Sequence, residues 1–523
     1  MRCALFLLAG LPLLAQTNNF DLLISNAKIV DGSGAPWFNG DIGIRGDSIA
    51  AVGLMPGATA TTKIDARGMA VAPGFIDIHS HGRRGIFTVP TAESYLREGV
   101  TTFVEGPDGS SPLPLAPFLE RIRNTPISVN FATMVGQGTI RSEVMGTVNR
   151  KATPEEIEKM KALAAQAMRD GAFGLSTGLF YVPGNFTPTE EVIELAKVVG
   201  RMGGIHISHM REEAAHVLDS VRETIRIGEE GGLPTQITHH KIIGKANWGK
   251  SVETLKLVEE ARARGVDVTI DQYPYTASST GIQALFPQWA LEGGSKAVAE
   301  RLGAPDQRAR IKTEIIHRLE DDRGAGDPKN VSIVNCGFDH SLAGKNLAQI
   351  TRARGQEPTM DHAADIAMDL VLKGGCSAIY HAIDEDDVVR IMRYPYTMIA
   401  SDGDIPVFGQ ASPHPRSYGT FARVLGVYVR EKHVLTLEEA VRRMSSLPAE
   451  RLKIWDRGLI RPGMKADIVL FDPATVADKS EYDKPHQYSV GVHEVIVNGK
   501  LSLHQDAVTS ERPGRVLYGP AKQ

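Results

Sequence analysis

Cysteine is scarce in this chain: Cys3, Cys336 and Cys376 are the three among 523 residues. That count excludes a disulfide framework, and no C-x-x-C pair is present to suggest a thiolate zinc or redox motif. Charge of one sign is also lacking. Lys and Arg number 58 against 62 Asp and Glu, for a net charge of −4 and a pI near 6.5. Such a balance gives no electrostatic case for nucleic acid as a partner. No apolar run is long enough for a stable membrane span; Cys3 to Ala15 is too short for a comfortable crossing. Tandem repeats and low-complexity tracts are missing as well. What is present is a long chain with 42% hydrophobic residues, too long for one ordinary domain and rich enough for a large core.

The start of the chain has the pattern of a secretory signal. Arg2 precedes the apolar stretch, and Leu13-Leu14-Ala15 is a plausible cleavage site before Gln16. The expectation is a signal peptide over 1–15 and an exported protein, periplasmic or secreted. Short alternating strands punctuated by Gly, Asp and Asn follow in Asp21–Gly32 and Asp41–Gly53. The same style returns at Lys465–Asp472 and Val495–Lys500. The two ends therefore read as one small β-sandwich, with parts at 16–72 and 458–523.

Between them, apolar runs end in metal-ligand residue types. Ala72-Pro73-Gly74-Phe75-Ile76-Asp77-Ile78-His79-Ser80-His81 carries two histidines at i and i+2, which share one side of a strand. His209 closes a second run, His239 and His240 a third, and Asp402 a fourth. A bare H-x-H is more often an ordinary pair of strand histidines. Four such strand ends, separated by helix-like stretches, point instead to ligands converging on the C-terminal mouth of a (β/α)8 barrel. Capping-box spacings at Thr153–Glu156, Thr187–Glu190 and Thr436–Glu439 place helix starts between the strands. The fold class expected is thus α/β: a TIM-like barrel over 73–457 with a small β-sandwich domain built from both chain ends. A more polar stretch at about 281–379 lacks a metal-ligand strand end and reads as an insertion over the mouth.

With these residues in view, the chain resembles the amidohydrolase superfamily, and within it the N-acyl-D-amino-acid deacylases (D-aminoacylases). The segments that carry the resemblance are PGFIDIHSH, GVTTFVEGPDG, GAFGLSTGLFYVPG, GGIHISHMREE, QITHHKIIGKANWGK, VTIDQYPYTASSTG, ASDGD and HPRSYGTFARVLGVYVRE. These segments run in family order from Pro73 to Glu431, and the resemblance as a whole extends from about Asp21 to Lys500, nearly the whole chain. The resemblance implies a metal-dependent hydrolase of linear amides that binds zinc, with one tight site and a weaker neighbour. Where the family carries a metal-binding cysteine after the GVTT strand, this chain has Asp108, with Glu105 as the competing carboxylate. The implied ligands are Asp108, His209 and His239, with His79, His81 and Asp402 completing a second position. Asp402 is the expected general acid and base. Tyr181, Lys241, Tyr273, Ser279 and Arg416 match positions that approach the substrate. Lys241 and Arg416 suit the free carboxylate of a small N-acyl amino acid. His206, His240 and His414 read as supporting residues rather than ligands. Two other readings stay open: a different metal amidohydrolase, such as a cyclic-amide hydrolase or dipeptidase, and a binding protein on a retained barrel. Oligomeric state, acyl preference and handedness are not written in the sequence.

Overall fold

The computed structural model describes residues 19–523, so the signal segment expected at 1–15 lies outside the described residues. Eight parallel strands form the barrel and are numbered here in chain order. They are β1 Phe75–Asp77, β2 Val100–Glu105, β3 Asn130–Thr133 with its continuation Val135–Gly136, and β4 Gly174–Gly178. β5 Ile205–His209, β6 Thr235–Ile237, β7 Val268–Gln272 and β8 Thr397–Ile399 complete the set. Each pairs with its neighbour in parallel, from β1 through β3 and from the continuation of β3 through β8. A parallel bridge between Ser80 and Gly403, just beyond β1 and β8, closes the ring. The strands are short and almost wholly buried, as a parallel barrel sheathed by helices requires.

Helix starts follow local chemistry. Thr153 caps the helix Pro154–Asp170 with a complete capping box: its hydroxyl accepts from the Glu156 amide, and the Glu156 carboxylate accepts from the Thr153 amide. Thr436 caps Leu437–Met444 by accepting from the Glu439 amide. The expected box at Thr187 does not form. That helix begins at Thr189, behind Pro188. The buried Thr187 hydroxyl instead donates to the Pro183 carbonyl and accepts from Gln137, so packing at the barrel mouth has taken the group that would have capped.

Both chain ends join in one nine-stranded sheet. Ala70–Pro73 runs antiparallel to Ile468–Phe471 and so links the N-terminal strands to the C-terminal ones. The expected strand over Asp41–Gly53 is broken by a tight turn into Phe38–Arg45 and Ser48–Gly53. A buried polar knot ties this sheet to the barrel. The Asp467 carboxylate accepts from the Asn498 amide at 2.7 Å, from Asn130 of β3 at 3.0 Å, and from Arg457.

The segment between β7 and β8 builds its own small unit. Ser278–Gly281, Cys376–Tyr380 and Val331–Cys336 form an antiparallel sheet. Helices Gly294–Gly303, Pro305–Asp321, Leu347–Ala353 and Met360–Leu372 pack on it around a separate apolar core. Cys336 and Cys376, directly opposite on neighbouring strands, are joined by a disulfide. No helix among the described residues is long and apolar enough to cross a membrane.

One buried histidine makes the barrel acid-sensitive. His206 of β5 lies between two neighbours, with Nε2 2.9 Å from the Thr177 hydroxyl and Nδ1 2.8 Å from that of Thr235. Burial pushes its pKa down to about 3 from the ordinary 6.5. The unfolded chain therefore takes up a proton that the folded chain refuses, and stability is lost as pH falls below 6.5. Two units below that value the loss is roughly 2–3 kcal/mol. In His206→Gln, which cannot take that proton, the stability lost between pH 6.5 and 4.5 in denaturant titrations should shrink by about that amount. An unchanged slope would show that His206 does not titrate on unfolding.

Candidate metal centre and its cavity

The C-terminal ends of the barrel strands open into a cavity of about 1070 Å³. At its floor, one carboxylate meets four imidazoles. Asp108 Oδ1 lies 3.5 Å from both His79 Nε2 and His239 Nε2. Its Oδ2 lies 3.4 Å from His81 Nε2 and 3.6 Å from His209 Nδ1. Asp402 enters from beyond β8, with Oδ1 3.4 Å from His79 Nε2 and 3.0 Å from His81 Nε2. His209 Nδ1 and His239 Nε2 are 2.7 Å apart. Two clusters result, His79–His81–Asp108–Asp402 and Asp108–His209–His239, with Asp108 in both.

These residues fit a metal. Imidazole nitrogens and carboxylate oxygens at 3.4–3.6 Å are too far apart for good hydrogen bonds. Ligands around a tetrahedral ion with bonds of 2.0–2.1 Å are roughly 3.3 Å apart, close to this spacing. Both ring nitrogens of His79, Asp108 Oδ1 and His209 Nε2 are buried without a hydrogen-bond partner among the described residues. Burial on this scale is costly unless a ligand answers it.

Local backbone makes the convergence possible. Asp108, His239 and Asp402 all occupy the left-handed region, with φ of 55°, 34° and 50°. Such positions are uncommon for residues with a side chain and cluster at functional sites. Gly178 lets the Asp108 loop sit against β4, because a Cβ there would fall 2.1 Å from the Asp108 carbonyl oxygen. The His239 amide donates to Asp271 at 2.6 Å, and the Asp402 amide to the His79 carbonyl at 2.8 Å.

The charges reinforce one another. Burial alone would raise Asp108, but the His79 and His209 imidazoles hold it well below the usual carboxylate value. Asp402 is likewise opposed by burial and held low by the Arg416 guanidinium and His79. Burial works against charge on His81, yet Asp108 and Asp402 push it up to about 10.

Each site residue expected from the sequence has a definite place. Glu105 is not in either cluster; its carboxylate accepts from the Arg83 amide and pairs with the Arg83 side chain. Tyr181 lies beside His209 with the rings tilted by 51° and their centroids 4.6 Å apart, and its hydroxyl meets Thr280. Lys241 Nζ lies 2.5 Å from Glu213 Oε1 and 2.7 Å from His239 Nδ1. Arg416 donates from Nη1 to Asp402 Oδ2 at 2.7 Å and from Nη2 to the Ser279 carbonyl at 3.3 Å. The Tyr273 ring lies 5.0 Å from the Arg416 guanidinium, and its hydroxyl has no hydrogen-bond partner. His240 turns away to Thr254, while His414 accepts from the Arg416 amide in the cavity wall.

The sequence reading missed Glu213 and Asp271. Glu213 Oε1 is 3.2 Å from His239 Nδ1, which orients the ring and leaves Nε2 facing Asp108. Burial opposes its charge, but Lys241 and His209 hold it well below the usual value. Asp271 Oδ1 stands 3.7 Å from His79 Nδ1 in a comparable position. The two adjacent glutamates after HMR were the available signal, but nothing in the sequence separates Glu213 from Glu212, which caps the following turn.

Comparison with known proteins agrees with this architecture. A model of the amidohydrolase family matches residues 329–502. The chain is 38% identical to a D-aminoacylase of Alcaligenes xylosoxydans xylosoxydans, over 96% of this chain and 98% of that one. An N-acyl-D-glutamate deacylase of the same organism is 36% identical over 95% of this chain and 96% of its own. Among solved structures, the N-acyl-D-glutamate deacylase of Bordetella bronchiseptica, complexed with zinc and a phosphonate inhibitor, superposes with a TM-score of 0.83. It shares 34% identity, over 96% of this chain and 100% of that chain.

Metal content tests the cluster. His209→Ala and Asp108→Ala should each lose most bound divalent metal, whereas Glu105→Ala should retain it. Glu213→Gln should weaken metal affinity by about 10- to 100-fold in chelator competition, the usual cost of removing a carboxylate behind a metal-binding histidine. Wild-type affinity in Glu213→Gln would leave that carboxylate without an orienting role.

Proposed function

The chain belongs to the amidohydrolases, in the family of the D-aminoacylases and N-acyl-D-amino-acid deacylases, and from that premise we propose that it hydrolyses the amide of N-acyl-D-amino acids. The products are a carboxylate and a free D-amino acid, and the metal is zinc. The observation that carries this reading is Asp402, set between the His79–His81 pair and Arg416 at the mouth of the barrel. Asp108 and the histidines would hold the zinc, which when bound would supply Lewis acidity, lowering the pKa of water from 15.7 toward about 7 and polarising a carbonyl oxygen.

The remaining work falls to the protein. Asp402 Oδ1 takes the proton of the attacking water as the new C–O bond forms. The same oxygen returns it to the amide nitrogen as the C–N bond breaks, so the amine leaves neutral. Arg416 fixes the other oxygen of Asp402, which keeps Oδ1 turned toward the histidines. Its remaining donors suit the α-carboxylate of the substrate, beside the free Tyr273 hydroxyl. Lys241 already answers Glu213, so its part in substrate binding is secondary to holding that carboxylate.

We also propose export, with processing near Ala15. The Cys336–Cys376 disulfide supports this, because such bonds persist mainly in oxidising compartments. N-terminal sequencing of secreted or periplasmic material should begin near Gln16; only an intact Met1 form in the cytoplasm would refute it.

Asp402→Asn retains size but cannot accept the proton. With metal content unchanged, turnover of an N-acetyl-D-amino acid should fall by at least ~100-fold. Near-normal turnover would remove Asp402 from proton transfer, and a clear preference for L substrates would overturn the D assignment.

A further inference from the structure

One charged group in the cavity has no task in the reaction just described. Arg323 follows the helix Pro305–Asp321 of the inserted unit and lines the same cavity as Asp108 and His209. It is 3% exposed. Its guanidinium lies over two rings, 4.5 Å from the Phe180 centroid and 5.6 Å from that of Tyr380. No hydrogen bond from this guanidinium reaches any described residue, and its buried Nε is without a partner. The closest carboxylate oxygen is Glu213 Oε2 at 4.0 Å, the limit of an ion pair. Glu213 is already committed through its other oxygen to Lys241. Asp322, next in the chain, lies 3.4 Å from Arg318.

A guanidinium carries five N–H donors in a fixed fork. Burying it with no acceptor is costly, and native proteins seldom do so unless a ligand completes the site. The cation–ring contacts with Phe180 and Tyr380 help to hold the guanidinium at the cavity wall, where its N–H donors suit a planar, bidentate anion. Arg416 stands at the Asp402 end of the cavity, whereas Arg323 stands at the Glu213 end, and no contact joins them. The cavity thus presents two separate carboxylate-binding positions, one on each side of the histidine cluster.

We propose that Arg323 binds the side-chain carboxylate of the substrate and makes the enzyme selective for acidic residues, N-acyl-D-glutamate or N-acyl-D-aspartate. The inference rests on the deacylase reading and narrows it. The α-carboxylate goes to Arg416 and the second carboxylate to Arg323, so the preferred substrate is a dianion.

The test compares matched pairs on the metal-loaded full chain: N-acetyl-D-glutamate against N-acetyl-D-glutamine, and N-acetyl-D-aspartate against N-acetyl-D-asparagine. Each pair differs little in size but by one charge. The wild type should show kcat/KM at least about tenfold higher on one or both acids than on the matching amide. In Arg323→Met the loss on the acid should exceed the loss on the amide by the same factor, so the preference disappears. Equal treatment of both pairs by the wild type, or a preference retained in Arg323→Met, overturns the proposal. If Arg323→Met does not fold, Arg323→Gln takes its place, and the wild-type ratio alone still decides against the proposal if it is near one. If none of the four is hydrolysed, the deacylase reading fails separately. Calorimetric binding of N-acetyl-D-glutamate and N-acetyl-D-glutamine then decides on Arg323: tighter binding of the acid supports it, equal binding overturns it.

Discussion

The Asp108 carboxylate, facing four imidazoles at once, is the interaction on which the site depends. Each of its oxygens approaches one histidine of the β1 pair and one of the β5–β6 pair. Asp402 adds a second negative charge beside His79 and His81. Two buried carboxylates so close to the same rings need positive charge between or around them, since an unpaired buried carboxylate is strongly disfavoured. Without an ion, that charge comes from protons on the imidazoles, which is why His79 is pushed up despite its burial. The arrangement therefore favours a cation.

Holding it still has a conformational cost. Three of the converging residues sit in left-handed backbone, at roughly 1–3 kcal/mol each. The surrounding structure offsets this by fixing each from outside. Asp271 accepts from the His239 amide, the His79 carbonyl accepts from the Asp402 amide, and Gly178 leaves room for the Asp108 turn. The closing bridge between Ser80 and Gly403 flanks both the histidine pair and Asp402, so the contact that closes the barrel also brings these two parts of the site together.

How much of this was legible follows from where each residue lies. The histidines and Asp402 terminate apolar strands, and parallel strands in a barrel must deliver their ends to one mouth. Asp108 was legible only through the family resemblance, because Glu105 is the residue that ends the strand; the turn Gly106–Gly109 carries Asp108 to the histidines, while Glu105 turns to Arg83. Glu213 and Arg323 were not legible. Glu213 lies on the loop after β5 beside Glu212, which the sequence does not distinguish from it, and Arg323 reaches the site only through the way the inserted unit folds over the mouth, which no periodicity reports. The Cys336–Cys376 pairing was open for a similar reason, because it depends on the register of two strands 40 residues apart. Thr187 shows the opposite failure: its spacing suited a cap, but burial beside Gln137 claimed the hydroxyl first.

The carboxylate at position 108 has a consequence for how two ions would share the site. A sulfur is a single soft donor, whereas Asp108 presents two hard oxygens. Here both oxygens reach both histidine pairs at nearly equal distances, so Asp108 itself favours neither side. Any difference in affinity between the two positions therefore rests on the other ligands. His239 is backed by Glu213, which strengthens an imidazole as a donor. Asp402, on the other side, shares its charge with Arg416, which draws electron density away from an ion. The same ion pair keeps Asp402 oriented and ready to exchange a proton. The guanidinium that holds the outer oxygen of Asp402 would thus both weaken that side of the site for an ion and fix the direction in which the inner oxygen points.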